Sequence, residues 1–339
     1  NTLDIDYSTT SCSNFKAGNN LKVELSNAAG SFVSATTLLT QATVAASGTL
    51  TVTIPNTATG EFYKIRVSSS SQIDTVIIGN LFTIVTQSQC NCTNETVIDW
   101  QASFGGTAGD VLNIMIPTSD GGYLLGGYST SNASANKTRN SFGGDDYWIV
   151  KTDANGTKQW DSIYGGTVTD QLNTIVPTSD GGYLLGGYST SNANGNKTRN
   201  SFGFSDYWVV KIDANGTKQW DSIYGGSLGE ELNTIISTKD GGYLLGGFSA
   251  SGLATGNKTR ASFGQEDYWV VKINANGVKQ WDSIYGGTNE DLLRNILPTA
   301  DGGYLLGGTS ISNSSGNKTR NSYGSYDYWV VKINANGTK

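Results

Sequence analysis

Four copies of one pattern, each about sixty residues long, limit what this chain can fold into. Trp100-Gln-Ala-Ser-Phe-Gly-Gly is followed by Trp-Asp-Ser-Ile-Tyr-Gly-Gly from Trp160, Trp220 and Trp281, at spacings of 60, 60 and 61 residues. Between these strings recur Asp-Gly-Gly-Tyr-Leu-Leu-Gly-Gly from Asp120, Asp180, Asp240 and Asp301, then Asn-Lys-Thr-Arg from Asn136, Asn196, Asn257 and Asn317. Asp-Tyr-Trp closes each set at Asp146, Asp206, Asp267 and Asp327. Self-similarity at this period belongs to stacked β arrays and propellers.

Each copy reads as four strands. In the second, Leu172 to Thr178 is a short β run, and Ser-Asp-Gly-Gly is a tight turn whose glycines supply positive φ. Tyr183 to Thr190 follows, then a polar loop to about Ser205. Asp206 to Ile212 alternates Trp208, Val210 and Ile212 on one face with Tyr207 and Val209 on the other. Two apolar faces predict a sheet stacked between two others. Ala214-Asn-Gly turns into a fourth strand from Thr217 to Tyr224. Nothing has helical periodicity. Four-stranded units repeated radially predict a β-propeller. Residues 96–106 match the fourth strand alone, while Asp327 to Lys339 ends at the turn before one. A ring of four units closed by its N-terminal strand is therefore expected, with a slice of a larger propeller as the alternative.

Residues 1–89 differ in composition and hold period-two runs at Phe15–Ser26, Gly48–Pro55 and Phe62–Ser68, with apolar runs at Val76–Ile78 and Leu81–Val85. These predict an immunoglobulin-like sandwich, joined by a linker at 90–95 to the array at 96–339. Cys12, Cys90 and Cys92 lie in or just after this part. A lone CxC pair is a poor zinc site, so a bridge from Cys12 to either of the others in an oxidising compartment is expected. The opening Asn1-Thr2-Leu3-Asp4 reads as domain interior, so a processed or excerpted chain is expected.

Composition excludes much chemistry. The 339 residues contain no histidine, which removes imidazole acid–base catalysis, Ser-His-Asp triads and His-ligated zinc. A carboxylate-pair hydrolase stays open in principle. A net charge of −6 argues against a phosphate-binding surface, so no nucleic-acid partner is expected. No apolar run approaches the roughly 20 residues of a membrane helix, so no membrane insertion is expected. Glycine is high, at 44 residues, and 8 Trp, 17 Tyr and 10 Phe supply core.

The strings Asp-Gly-Gly-Tyr-Leu-Leu-Gly-Gly, Asp-Tyr-Trp-Val-Val-Lys-Ile-Asp-Ala-Asn-Gly and Gln-Trp-Asp-Ser-Ile-Tyr-Gly-Gly resemble propeller repeats of large secreted Bacteroidota proteins and, more loosely, the delta-sixty-type repeat. Val23 to Phe32 and Gly60 to Ser69 resemble the Ig-like modules found beside such repeats. The resemblance implies type IX secretion and an extracellular or cell-surface life, and it implies no reaction and no cofactor. Asp-Ser/Thr-apolar at Thr75, Ser162, Ser222 and Ser283 resembles the O-glycan acceptor of Bacteroidota. A glycan on an outermost strand would block strand addition at an open edge.

Three further patterns carry polar chemistry. Asp-Ala-Asn-Gly at Asp153 and Asp213 has too few oxygen ligands for a calcium loop, and a hairpin turn explains it. Asp110, Asp170, Glu230 and Asp291 stand four residues after each Gly-Gly, and a propeller would put them on the same face as Lys137, Arg139 and their equivalents. They are read as structural pairing or, more sharply, as a ligand-face ring for a glycan or metal ion. Asn-x-Ser/Thr occurs at Asn91, Asn94, Asn132, Asn136, Asn155, Asn196, Asn215, Asn257, Asn313, Asn317 and Asn336. The sequence thus supports a non-enzymatic extracellular structural or adhesive protein, a self-associating surface or filament subunit. A carbohydrate-binding propeller module is the alternative.

Overall fold

The structure is a computed structural model and describes residues 2–8, 20–26, 35–42, 47–53, 65–69, 75–78, 100–252 and 255–339. The chain forms two compact parts, Asn1–Ile98 and Asp99–Lys339. All regular structure among the described residues is β.

In the first part, β1 (Thr2–Ser8) pairs with β4 (Ser47–Thr53). The strands β2 (Asn20–Leu25), β3 (Thr36–Ala42), β5 (Ile65–Ser69) and β6 (Thr75–Ile78) form a second antiparallel sheet in the order β3-β2-β5-β6. Val23, Leu25 and Ile65 of one sheet and Leu50 and Val52 of the other are buried. Cys12, Cys90, Cys92, Asn91, Asn94 and the linker lie outside the described residues. So do the Leu81–Val85 run and the start of the expected closing strand. Thr75 is described as the first residue of β6.

In the second part, three antiparallel sheets of four strands reproduce the expected units. Repeat 1 holds β7 (Asp110–Pro117), β8 (Tyr123–Ser129), β9 (Asp146–Thr152) and β10 (Lys158–Tyr164). Repeat 2 holds β11 (Asp170–Pro177), β12 (Tyr183–Ser189), β13 (Asp206–Ile212) and β14 (Lys218–Tyr224). Repeat 3 holds β15 (Glu230–Ser237), β16 (Tyr243–Ser249), β17 (Asp267–Ile273) and β18 (Lys279–Tyr285). Repeat 4 has three strands, β19 (Asp291–Pro298), β20 (Tyr304–Ser310) and β21 (Asp327–Ile333).

The sheets stack face to face in chain order. Every residue of β13 is buried. Trp208, Val210 and Ile212 join the core between repeats 1 and 2, and Tyr207 and Val209 join the core between repeats 2 and 3, as the alternation predicts. The Leu-Leu-Gly-Gly string has a packing reason. A Cβ on Gly186 would lie 2.4 Å from Ile235 Cδ1, so this glycine is the hole that receives the next repeat's Ile235 and Leu232. A Cβ on Gly187 would lie 1.9 Å from the Gln171 carbonyl oxygen, where β11 bulges between Leu172 and Thr174.

The expected closed ring is not formed in this structure. β21 pairs only with β20 among the described residues, and residues 100–106 form no strand. Tyr328, whose counterparts Tyr147, Tyr207 and Tyr268 are buried, is 94% exposed. The described array is an open stack with two uncovered end faces. Strand counting fits a ring, but whether the first and last sheets meet depends on the rotation between sheets, which strand patterns do not encode.

Candidate functional site

The amide residues picked out by the repeat reach across the seams between consecutive sheets, whereas most of its charged residues bond within their own repeat. Asn173 sits in the bulge of β11, outside the ladder, and its Nδ2 donates to the Leu232 carbonyl at 2.9 Å. Asn113 and Asn233 make the same contact, at 2.7 Å to Leu172 and 2.8 Å to Leu293. Deeper in each seam a tyrosine of one third strand donates to the tryptophan carbonyl of the next. Tyr147 reaches Trp208, Tyr207 reaches Trp269 and Tyr268 reaches Trp329, all at 2.9 Å. Each ring pair also packs at a tilt, with centroids 4.7–4.8 Å apart.

The asparagine of Asn-Lys-Thr-Arg is a clamp. Asn196 Nδ2 donates to the Ile163 carbonyl at 2.8 Å, while Gly165 N donates to Asn196 Oδ1 at 2.9 Å. Both partners end the fourth strand of the preceding repeat. Asn257 holds Ile223 and Gly225 in this way, and Asn317 holds Ile284 and Gly286. Asn136 applies the same grip to Ser103 and Gly105, at 2.6 and 2.9 Å. Residues 100–106 therefore lie on repeat 1 where a preceding repeat's fourth strand would lie.

The proposed ligand-face ring is not on a face. Asp170, Glu230 and Asp291 are fully buried, which corrects the ligand reading and supports the structural one. Asp170 Oδ2 accepts from Gly166 N and Ser191 Oγ, and Asp291 Oδ2 accepts from Gly287 N and Ser312 Oγ. Glu230 accepts from Gly226 N, Ser249 Oγ and Ser251 Oγ. Asp110, at the uncovered end, keeps the same Gly106 and Ser131 donors but is only half-buried. The lysines face carbonyls instead of these carboxylates: Lys258 Nζ donates to the Ser251 oxygen at 2.6 Å.

A second buried carboxylate starts the third strand of repeats 1, 2 and 3. Phe202 N donates to Asp206 Oδ2 at 2.7 Å, while Asp206 Oδ1 has no partner and presses on Gly225, 1.6 Å from where a Cβ would be. Asp146 and Asp267 repeat this arrangement over Gly165 and Gly286. Burial, reinforced by the neighbouring Asp170, Glu230 or Asp291 charge, pushes Asp146, Asp206 and Asp267 up to about 7. Burial also lowers Lys197 and Lys258 to about 8.

The Asp-Ser-Ile motif serves the sheet. Asp221 accepts from Trp208 Nε1 at 3.1 Å and from the Thr198 hydroxyl at 2.6 Å, and it pairs with Lys218 at 2.8 Å. Ser162 and Ser222 face the next repeat's turn, where a Cβ on Gly216 or Gly277 would lie 2.9 or 3.1 Å from the hydroxyl oxygen. Ser283 meets Gly337 likewise. By side-chain alternation this face packs on the neighbour, and the three serines are left half-buried beside it. Among the sequons, Asn136, Asn196, Asn257 and Asn317 spend their amides in clamps, whereas Asn132, Asn155, Asn215, Asn313 and Asn336 are exposed. In Asp-Ala-Asn-Gly, Asp213 Oδ1 accepts from Asn215 N and Thr217 N, which makes it a turn. Among the described residues, no group of three His, Cys, Asp or Glu side chains is placed to hold a metal ion.

Besides a groove of about 310 Å³ beside Ser162, Tyr164 and Gly216, two larger open grooves line the array. One, of about 460 Å³, lies between repeats 3 and 4 and is lined by Trp281, Tyr304, Asp240, Lys272, Gln280 and Asn336. The other, of about 480 Å³, is almost wholly apolar and lies on the uncovered face of repeat 1, under Trp100 and Phe104 and against Leu112 and Met115. Comparison of the sequence with known protein families and with curated proteins finds no match.

Proposed function

We propose that the chain is a non-enzymatic structural and adhesive building unit of the cell exterior. One observation carries this reading: the asparagines that recur in the repeat join one sheet to the next, while its lysines and most of its carboxylates are spent in bonds within their own repeat. Asp170, Glu230 and Asp291, the best candidates for a reactive cluster, are fully buried and engaged by backbone and serine donors. A solenoid-like stack of this kind derives its stability from neighbour contacts and serves as scaffold. The repeat resemblance to secreted Bacteroidota proteins supports a secreted surface location, and two antiparallel sheets that each bury apolar residues support an Ig-like sandwich in the first part. Electron microscopy of the purified chain tests the reading: polymers or ordered assemblies are expected, and dispersed monomers at every concentration would overturn it.

A carbohydrate-binding module is the second reading, favoured by the groove at Trp281 and Tyr304. Aromatic rings stack on sugar faces, while Asp240, Gln280 and Asn336 offer hydrogen bonds to hydroxyls. Binding on a glycan array that is lost in Trp281→Ala would support it.

A further inference from the structure

We propose that the internal seams carry a row of equivalent sites for an acidic polysaccharide, each built from an arginine of one repeat and a lysine of the next. This goes beyond the building-unit reading and holds whether or not the chain assembles. It shares no residue with the groove at Trp281.

The row starts from the last residue of Asn-Lys-Thr-Arg. In repeat 2, Asn196 clamps the preceding strand, Lys197 is buried on carbonyls and Thr198 holds Asp221. The arginine has no such task. Arg139 and Arg199 lend only their carbonyls, to Lys137 and Lys197. The side chains of Arg139, Arg199 and Arg260 are exposed and take no hydrogen bond or ion pair among the described residues.

At the first seam the groove of about 310 Å³ sets Arg139, Asn140 and Phe142 of repeat 1 against Ser162 and against Lys218 of repeat 2. Asn140 Oδ1 accepts from Ala133 N at 2.9 Å, which leaves its Nδ2 without a partner among the described residues. Lys218 Nζ donates to the Asn196 carbonyl and pairs with Asp221 at 2.8 Å, and an ammonium has a third proton to give. Phe142 is 39% exposed and pinned by the next repeat, where a Cβ on Gly195 would lie 2.9 Å from its Cγ. The groove therefore offers a guanidinium, an amide donor, an ammonium and a fixed ring. Such donors match carboxylate or sulfate oxygens, and the ring suits the apolar face of a sugar.

Arg199, Asn200, Phe202, Ser222 and Lys279 stand in the same places at the second seam, and Arg260, Phe263, Ser283 and Lys339 at the third. Phe202 and Phe263 pack on Gly256 and Gly316 as Phe142 does on Gly195. One cationic site per sheet, with stacked sheets about 10 Å apart, is too sparse for a duplex that carries a charge every ~1.7 Å. It suits a glycan with an acidic unit in each disaccharide. Asp213 and Arg139 both act on the Tyr164 hydroxyl, so a carboxylate competes at the first seam. Asn274 and Asn334 take that position at the next two, which are the stronger sites.

Affinity electrophoresis in polygalacturonate, dextran sulfate, neutral dextran or polyphosphate tests this. Polygalacturonate or dextran sulfate should retard the chain, the two telling a carboxylate from a sulfate ligand, and dextran should not. Arg139→Ala/Arg199→Ala/Arg260→Ala removes no native hydrogen bond or ion pair, so it should keep its melting curve and bind about 10-fold more weakly or worse. Phe202→Ala should weaken retardation by the polysaccharide, and Asp213→Asn should strengthen it. Absence of retardation by either acidic polysaccharide, or equal retardation of the triple variant, overturns the proposal. Polyphosphate or duplex DNA retarding the chain as strongly would reduce the row to a charge effect and overturn it as well.

Discussion

Tyr207 places its hydroxyl on the carbonyl oxygen of Trp269, 2.9 Å away and one repeat further along the chain. Tyr207 is the second residue and Trp269 the third residue of their third strands, and both are fully buried. The bond therefore ties two sheets at a point where no water can substitute for it. Tyr207→Phe should destabilise the array by about 1 kcal/mol, and Tyr268→Phe by a similar amount. Tyr328→Phe should leave the isolated chain unchanged. Chemical denaturation of the three variants at low protein concentration checks the contrast.

The glycine holes give a second contrast. A methyl at Gly186 meets Ile235 Cδ1 at 2.4 Å and Leu232 Cδ2 at 2.8 Å, so Gly186→Ala should cost about 1–3 kcal/mol through overpacking. Gly307→Ala, with open space around it, should change little in the monomer. Thermal melts of both variants would expose an error if the two shift alike.

Protonation of the seams has a defined sign. Asp146, Asp206 and Asp267 titrate from 3.8 in the unfolded chain to about 7 when folded, so the native state holds more protons between those values. Their contribution to stability is complete below about pH 4 and falls as pH rises to about 7. Lys197 and Lys258, lowered to about 8, act oppositely above that pH, because the unfolded chain keeps its protons up to 10.5. The seam contribution is thus weakest between pH 7 and 8. Urea denaturation of the Asp146→Asn/Asp206→Asn/Asp267→Asn variant should show a flatter profile from pH 4 to 7 than the unaltered chain.

Modification should follow exposure instead of motif. Any asparagine-linked glycan on the described array is expected at Asn132, Asn155, Asn215, Asn313 or Asn336, and none at Asn196, Asn257 or Asn317, whose amides are held in clamps. Peptide mapping by mass spectrometry of the chain from its native source decides this, and a sugar on any residue of the second group would contradict the packing.

The strand plan of the array was legible because its signals are local: alternation places Tyr207 and Trp208 on opposite faces, and Asp-Gly-Gly can only turn. The polar seam was not legible. Asn196 carries a sequon and Asp170 a strand-start carboxylate, and neither spacing tells which neighbouring repeat the side chain meets. Asn173 gave no signal, because its reach depends on a bulge that takes it out of the ladder. In the first part, β3 escaped notice since Thr36-Thr-Leu-Leu-Thr-Gln-Ala does not alternate cleanly.

Each repeat carries a hole on one sheet face and a knob on the other, with its clamp always gripping backwards. A gene duplication or loss that adds or removes one whole period therefore leaves every surviving seam chemically matched. The number of repeats is free to drift between lineages without new compensating substitutions, whereas a change of half a period would misalign knob, clamp and phenol together. Selection on such a protein acts on the period far more strictly than on the total length.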